Sequence, residues 1–337
     1  MEERSFLPWW VRHQRLVLAV VVGLLVTLVG AWFFVDNQTA RASKTAESDD
    51  KTKGAEETSS KATGLEAFWQ STEGFEPLDE PTAGDWRSRF KEPRQSYEGW
   101  VNRDRKQPSD QRGVLYLQPI GDFDEAATPD LEILAEFGRR YFQMPVKVRP
   151  PIDAKGLDIT RRQNPHSGQT QWLTGDLLDL LEERLPDDAY GVLGLTVTDL
   201  WPGEGWNFVF GQARLSRRVG VYSLARYGAG ARRELNDYER RLTLLRSMKV
   251  MTHELGHMFG ISHCLHYRCN MNGSNSLDET DAQPIHLCPV DLRKLHTAAG
   301  FDPVIRYEEL ADFYEKRGFE EQADFARRRA AAGEASQ

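Results

Sequence analysis

Cysteine is scarce in this chain. There are three in 337 residues, Cys264, Cys269 and Cys288, all in the last third. An odd count so confined does not form a disulfide framework and points instead to metal ligation. An excess of positive charge is also missing: the net charge is −8, with basic residues only in short local runs such as Arg139-Arg140 and Arg327-Arg328-Arg329. That balance argues against nucleic acid as the main partner, and the basic runs read as solvated faces. No phosphate-cradling glycine loop, no Ser-His-Asp arrangement and no internal repeat stands out. Hydrophobic residues make up 40% of the chain, enough for a sizeable core.

Long apolar runs are absent but for one. Leu16 to Val35 carries no charge over twenty residues. As a helix it rises ~30 Å, about one hydrocarbon core. Arg12 and Arg15 precede it, and Trp9, Trp10, Trp32 and Phe33 sit near its ends as interfacial anchors. The competing reading is a cleaved signal peptide with Ala40-Arg41-Ala42 as its processing site, but the run is longer than an ordinary signal core. The expectation is a single-pass membrane anchor with the N-terminus inside and the bulk of the chain exported.

The expected organisation is an N-terminal flank at 1–15, the anchor at 16–35, a polar tether and lead-in at 36–112, a folded domain at 113–301 and a helical extension at 302–337. Residues 36–64 are polar without apolar period, as in a flexible tether. From 65 to 112 scattered Trp, Pro and Gly suggest an extended segment wrapping the domain. Strands are expected at Val114–Ile120, Val146–Val148, Tyr190–Thr198, Asn207–Phe210 and Val219–Leu224. Helices are expected at Pro129–Phe142, at Thr174–Leu185 with Thr174 as its cap, and at Arg240–Phe259. A loop over Asn270–His286 and helices at Pro289–Ala298 and Tyr307–Ala332 follow. Strands alternating with helices make this an α/β (α+β) chain.

The chemistry is concentrated in His253-Glu254-Leu255-Gly256-His257-Met258-Phe259-Gly260-Ile261-Ser262-His263-Cys264. On a helix His253 and His257 are four apart and share one face. Two imidazoles so placed can grip one zinc ion, and Glu254, one step round, can reach a metal-bound water. Gly260 allows the chain to leave the helix with positive φ, which can bring His263 back as a third ligand. Three protein ligands leave a fourth position open, the mark of a catalytic zinc site rather than a structural one. The extended pattern is that of metzincin proteases.

The run His253-Glu254-x-x-His257-x-x-Gly260-x-x-His263-Cys264-x-x-x-x-Cys269-x-Met271, followed by Cys288, resembles the archaemetzincin family of zinc peptidases. Trp206 to Ala213, Ala225-Arg226-Tyr227, Gly273-Ser274-Asn275 and Leu287-Cys288-Pro289 add to the likeness, which covers about Gly113 to Phe301. The resemblance implies a metzincin-like twisted sheet with an active-site helix and a small C-terminal helical subdomain. It implies that the three histidines hold zinc, that Glu254 is the general base for hydrolysis of peptide bonds, and that Met271 underlies the metal in a turn. It also implies a second, structural zinc on four cysteines.

Here the sequence departs from that pattern, because the family's closing Cys-x-x-Cys reads Cys288-Pro289-Val290-Asp291. Candidates for the fourth ligand beside Cys264, Cys269 and Cys288 are Asp291, His266 or His286. The alternative is no second zinc, with Cys264 and Cys269 paired as a disulfide in an oxidising compartment. Asn207 to Gln212 is a candidate edge strand for an extended peptide substrate, its bland counterpart being an ordinary buried strand. Arg226 and Tyr227 have a salt bridge and a core hydroxyl as their plain roles. A non-catalytic, zinc-containing peptide-binding module is the competing function; Glu254 argues for the enzyme, since a mere binder has no need of a base.

Overall fold

The computed structural model describes residues 65–335, apart from 105–106, 125, 215 and 228–233. The anchor at 16–35 and the tether to residue 64 lie outside the described residues. Among those described, no helix is long and apolar enough to cross a membrane.

Beyond the helical residues 65–70, the lead-in carries two further short helices, α1 at Trp86–Arg89 and α2 at Tyr97–Val101. After β1 (Val114–Pro119), Asp130 caps α3 (Leu131–Phe142) by accepting from the Glu132 amide, so this helix starts two residues later than Pro129. β2 (Val146–Val148) leads to two short strands that the sequence pattern does not announce, β3 (Arg161–Gln163) and β4 (Thr170–Leu173). α4 spans Thr174–Glu183, with Leu173 rather than Thr174 at its cap position. The Thr174 hydroxyl is turned instead onto the Gln212 side chain. β5 (Ala189–Thr196), β6 (Asp199–Trp201), β7 (Gly211–Arg214) and β8 (Val219–Ser223) follow.

Five strands form the main sheet in the order β2-β1-β5-β8-β7. The first four are parallel to one another and β7 closes one edge antiparallel to β8. β5 is buried along its whole length, as a central parallel strand covered on both faces must be. Leu193 and Leu195 face the cluster that includes Leu134, Phe137, Met251 and Leu255. Val192 faces Leu177, Leu178 and Leu181 of α4. A second sheet, β3-β4-β6, packs Trp172 and Leu200 into one apolar cluster with Val192 and Val221 of the first. The α/β class therefore holds, but Asn207–Phe210 is not a strand. That segment makes only an isolated bridge between Leu200 and Val209, and the edge strand begins at Gly211.

α5 (Asp237–Met258) crosses beneath the sheet, opened by a capping box between Asn236 and Glu239. α6 (Leu277–Ala282) interrupts the stretch expected as pure loop, capped by Ser276 and acidic in its first turn. α7 (Pro289–Ala299) matches expectation within one residue. The single terminal helix expected at Tyr307–Ala332 is instead a hairpin, α8 (Pro303–Lys316) and α9 (Glu320–Glu334). The chain turns between them at Gly318, φ 71°. The charged run from Glu315 to Glu321 thus belongs to an exposed turn. Arg306 and Arg329, one on each helix, are buried against aromatic rings.

The largest apolar cluster runs through the lead-in, the main sheet and the terminal hairpin alike, joining Phe68 and Phe75 to Leu193, Leu255, Leu310 and Phe313. The lead-in also ties off the end of α5. Trp100, 1% exposed, donates its indole N–H to the Phe259 carbonyl at 3.0 Å. Gln95 donates to the Gly260 carbonyl at 3.0 Å and accepts from the Ser262 amide at 3.1 Å. These contacts fix the reversal that follows the helix and so set where His263 points.

Candidate metal centre and active site

α5 ends at Met258, and Gly260 takes φ 76°, a conformation a side chain resists. The reversal returns His263 to the face that carries His253 and His257. The rings of His253 and His257 stand 4.6 Å apart at 88°, and His263 lies 5.3 Å and 4.9 Å from them. Each residue offers a ring nitrogen within 4.8 Å of the others. The Nε2 atoms of His253 and His257 are 3.1 Å apart.

Each Nδ1 meets an oxygen acceptor, which places the Nδ1 proton on it and leaves Nε2 as the free lone pair. His253 meets the Asn270 carbonyl at 2.7 Å and His257 the Ile261 carbonyl at 2.7 Å. His263 meets both oxygens of Glu92, at 2.9 Å and 2.8 Å. That contact holds the Glu92 carboxyl below its usual range. Burial and the neighbouring rings push His253 well down and His257 down to about 3, so both are neutral, the state a metal ligand requires. Tetrahedral zinc with bonds of about 2.0–2.1 Å separates its nitrogens by ~3.3 Å, close to the spacing of the His253–His257 pair. The donor set fits zinc.

Glu254 is 6% exposed and lies against β7. A Cβ on Gly211 would come within 2.7 Å of its carboxyl carbon, so only glycine leaves room for this side chain there. Burial alone pushes its carboxyl up to about 8; a dication on the adjacent histidines pulls the other way. Below the site Met271 is fully buried, its sulfur packed against Gly256 of α5. Histidines and Glu254 open into a cleft of about 850 Å³, whose other lining residues include Phe90, Trp206, Phe208 and Gln212.

A second cluster adjoins the first through the peptide bond from His263 to Cys264. Cys264, Cys269, Cys288 and Asp291 are all buried, and their ligand atoms lie within 4.8 Å of one another. The Cys264 and Cys288 sulfurs are 3.6 Å apart, and Asp291 Oδ2 is 3.5 Å from Cys269 and 3.6 Å from Cys288. The three cysteines are free thiols. Zinc–sulfur bonds of about 2.3 Å in a tetrahedron put sulfurs ~3.8 Å apart, so this set too fits a metal. The other oxygen of Asp291 accepts from Lys294 at 2.8 Å, and Lys294 reaches the Gln95 side chain at 3.1 Å. His266 and His286 stand elsewhere: His266 contacts the Gln95 carbonyl, and His286 stacks on Phe325. Arg226 pairs with buried Asp199, and Tyr227 lies in the core.

The sequence reading misses Glu92, Gln95, Asn270, Asn272 and Lys294. Asn270 supplies its carbonyl to His253 while its amide is anchored on Thr252 at 2.8 Å. Asn272 spans the turn, accepting from the Cys269 amide and donating to the Cys264 carbonyl. These two sit inside the motif and could have been suspected as turn residues. Glu92 lies 171 positions from His263 in a segment without periodicity, and nothing local marks it.

The profile described as Peptidase family M54 matches residues 167–297. Archaemetzincin-2 of Mus musculus is 36% identical over 273 residues, covering 73% of this chain and 76% of that protein. Archaemetzincin-1 of Mus musculus is 34% identical over 228 residues, covering 59% of this chain and 45% of that protein. The crystal structure of an archaemetzincin from Methanopyrus kandleri aligns over 58% of this chain and 99% of that chain, at 31% identity and a TM-score of 0.44.

Glu92 braces the one metal-site histidine whose Nδ1 is held by a side chain. Glu92→Gln is expected to weaken zinc binding by about tenfold or more in chelator competition. Its thermal midpoint without metal should stay at the wild-type value, and an affinity within about twofold of wild type would remove Glu92 from the site.

Proposed function

Since the chain belongs to the archaemetzincin family of zinc metallopeptidases, we propose that His253, His257 and His263 hold its catalytic zinc and that Glu254 is the general base. The observation that carries this reading is the meeting of three imidazoles with one buried carboxylate at the floor of a single cleft. When bound there, zinc supplies Lewis acidity, acidifying a water and polarising the scissile carbonyl. Glu254 takes the proton as the water oxygen bonds to the carbonyl carbon. It then passes that proton to the leaving amine nitrogen as the C–N bond breaks. The space opposite Gly211 keeps its carboxylate beside the histidines. β7, an edge strand whose residues Gly211 to Ala213 line the cleft, offers a backbone edge to an extended peptide. Gly211 and Gln212 of this strand fall within the stretch Asn207 to Gln212 expected to receive the peptide. A binding module without turnover is not favoured, because a desolvated carboxylate beside three metal-site histidines is costly to keep without a proton to move.

We further propose that Cys264, Cys269, Cys288 and Asp291 hold a second, structural zinc, supported by their mutual approach and complete burial. Asp291 stands where the family's fourth cysteine would, and Lys294 holds its second oxygen. The run from Leu16 to Val35 is proposed as a single-pass anchor with the peptidase domain on the exported side.

Glu254→Ala is expected to retain zinc and lose hydrolysis by at least about a hundredfold; undiminished turnover in that variant sinks the mechanism. Elemental analysis of the purified chain should find two zinc ions, falling to one in a Cys269→Ser, Asp291→Ala double variant. A single ion in the wild type refutes the second site. For the anchor, the full chain should stay in the membrane pellet after alkaline carbonate washing, and release into the supernatant refutes it.

A further inference from the structure

We propose that Trp86, Phe90 and Trp206 form an aromatic platform that receives a large apolar side chain of the peptide substrate beside His263; this rests on the peptidase reading above. The three rings make a continuous series starting at the metal site. Trp86 meets the His263 ring edge-on at 5.1 Å, Phe90 follows at 4.1 Å, and Trp206 stacks on Phe90 at 5.4 Å with the planes 4° apart. All three line the cleft that holds His253, Glu254, His257 and His263.

The rings come from two separately secured segments. On the lead-in side, the Trp86 amide donates to Glu279 at 2.9 Å and Asn275 donates to the Gly84 carbonyl at 2.7 Å. On the other side, the Trp206 and Asn207 carbonyls accept from Arg162 at 3.0 Å and 2.9 Å. Gln171 also donates to the Asn207 carbonyl at 3.0 Å. Arg162 itself is stacked on Trp201 at 4.1 Å. The second sheet, β3-β4-β6, thus holds the backbone of this segment while leaving the Trp206 ring in the open.

Trp206 is 41% exposed and joins neither apolar core cluster. An indole so exposed on a fixed backbone, stacked on a second ring at a catalytic cleft, is a contact surface for a ligand rather than core packing. Phe208, Val209 and Phe210 line the same cleft and extend the apolar character of this wall. Of the carboxylates in the cleft, Glu92 is engaged by His263 and Glu254 is the proposed base, so neither is free to select a basic side chain. The class of side chain that fits is aromatic or large aliphatic.

The test uses the full chain loaded with zinc and a peptide library varied at every position, read by mass spectrometry. At one position flanking the scissile bond, Phe, Tyr, Trp or Leu should be preferred over Gly and Asp by about tenfold in kcat/KM. Trp206→Ala and Phe90→Ala should each reduce that ratio to about threefold or less with zinc content and thermal midpoint unchanged, and Trp206→Phe should restore it. A ratio unchanged in both alanine variants, or no apolar preference in the wild type, overturns the platform. Should the wild type cleave nothing, calorimetry of the same peptides on the Glu254→Ala chain separates the two readings. Selective binding of the apolar peptides, lost in the double variant with Trp206→Ala, keeps the platform while the peptidase reading falls. Equal affinities overturn the platform.

Discussion

Two imidazole nitrogens held 3.1 Å apart, with the Nδ1 of each ring engaged by a carbonyl, bring two lone pairs into close approach and repel unless a cation lies beside them. The geometry of His253 and His257 enforces that approach, and much of the surrounding structure serves to hold it. The helix sets the spacing. The Asn270 and Ile261 carbonyls fix the ring orientations by engaging Nδ1, and Met271 closes the space beneath. Ring orientations fixed in this way limit the side-chain freedom that binding a cation would have to remove.

The sequence made this part legible because it is local. A spacing of four on a helix, a glycine after the last turn and a histidine three residues on can be read without any tertiary knowledge, and the long buried strands are equally plain. What escaped notice is short, polar or distant. Arg161-Arg162-Gln163 has no apolar alternation and is a strand only because it pairs with β4. Thr174 resembles a cap, but its hydroxyl has a partner on Gln212 of β7. The terminal helix is broken at Gly318, where positive φ turns the chain back so that both halves bury residues in one apolar cluster. Glu92 could be found only by folding the chain.

The two ligand clusters share more than the bond between His263 and Cys264. Lys294 reaches from Asp291 to Gln95, and Gln95 in turn holds both sides of the Gly260 reversal. The cysteine cluster therefore bears on His263 by two routes, one along the backbone and one through a buried charged pair. Removing Asp291 would leave the Lys294 ammonium buried without its carboxylate, a larger penalty than the loss of one contact. An aspartate in place of a cysteine is thus accommodated here by a neighbouring lysine with which it forms a matched pair.

The lead-in gives the metal site an uneven constitution. His253 and His257 ride on one long, deeply packed helix, whereas the brace on His263 comes from a separate stretch held by side chains, among them Trp86, Glu92, Gln95 and Trp100. Peeling that stretch away frees the third imidazole while the helix stays intact, so it is a smaller opening than global unfolding. The site then has a hinge side and a latch side. Losing the contact with Glu92 would therefore release one of the three rings and leave the other two in place.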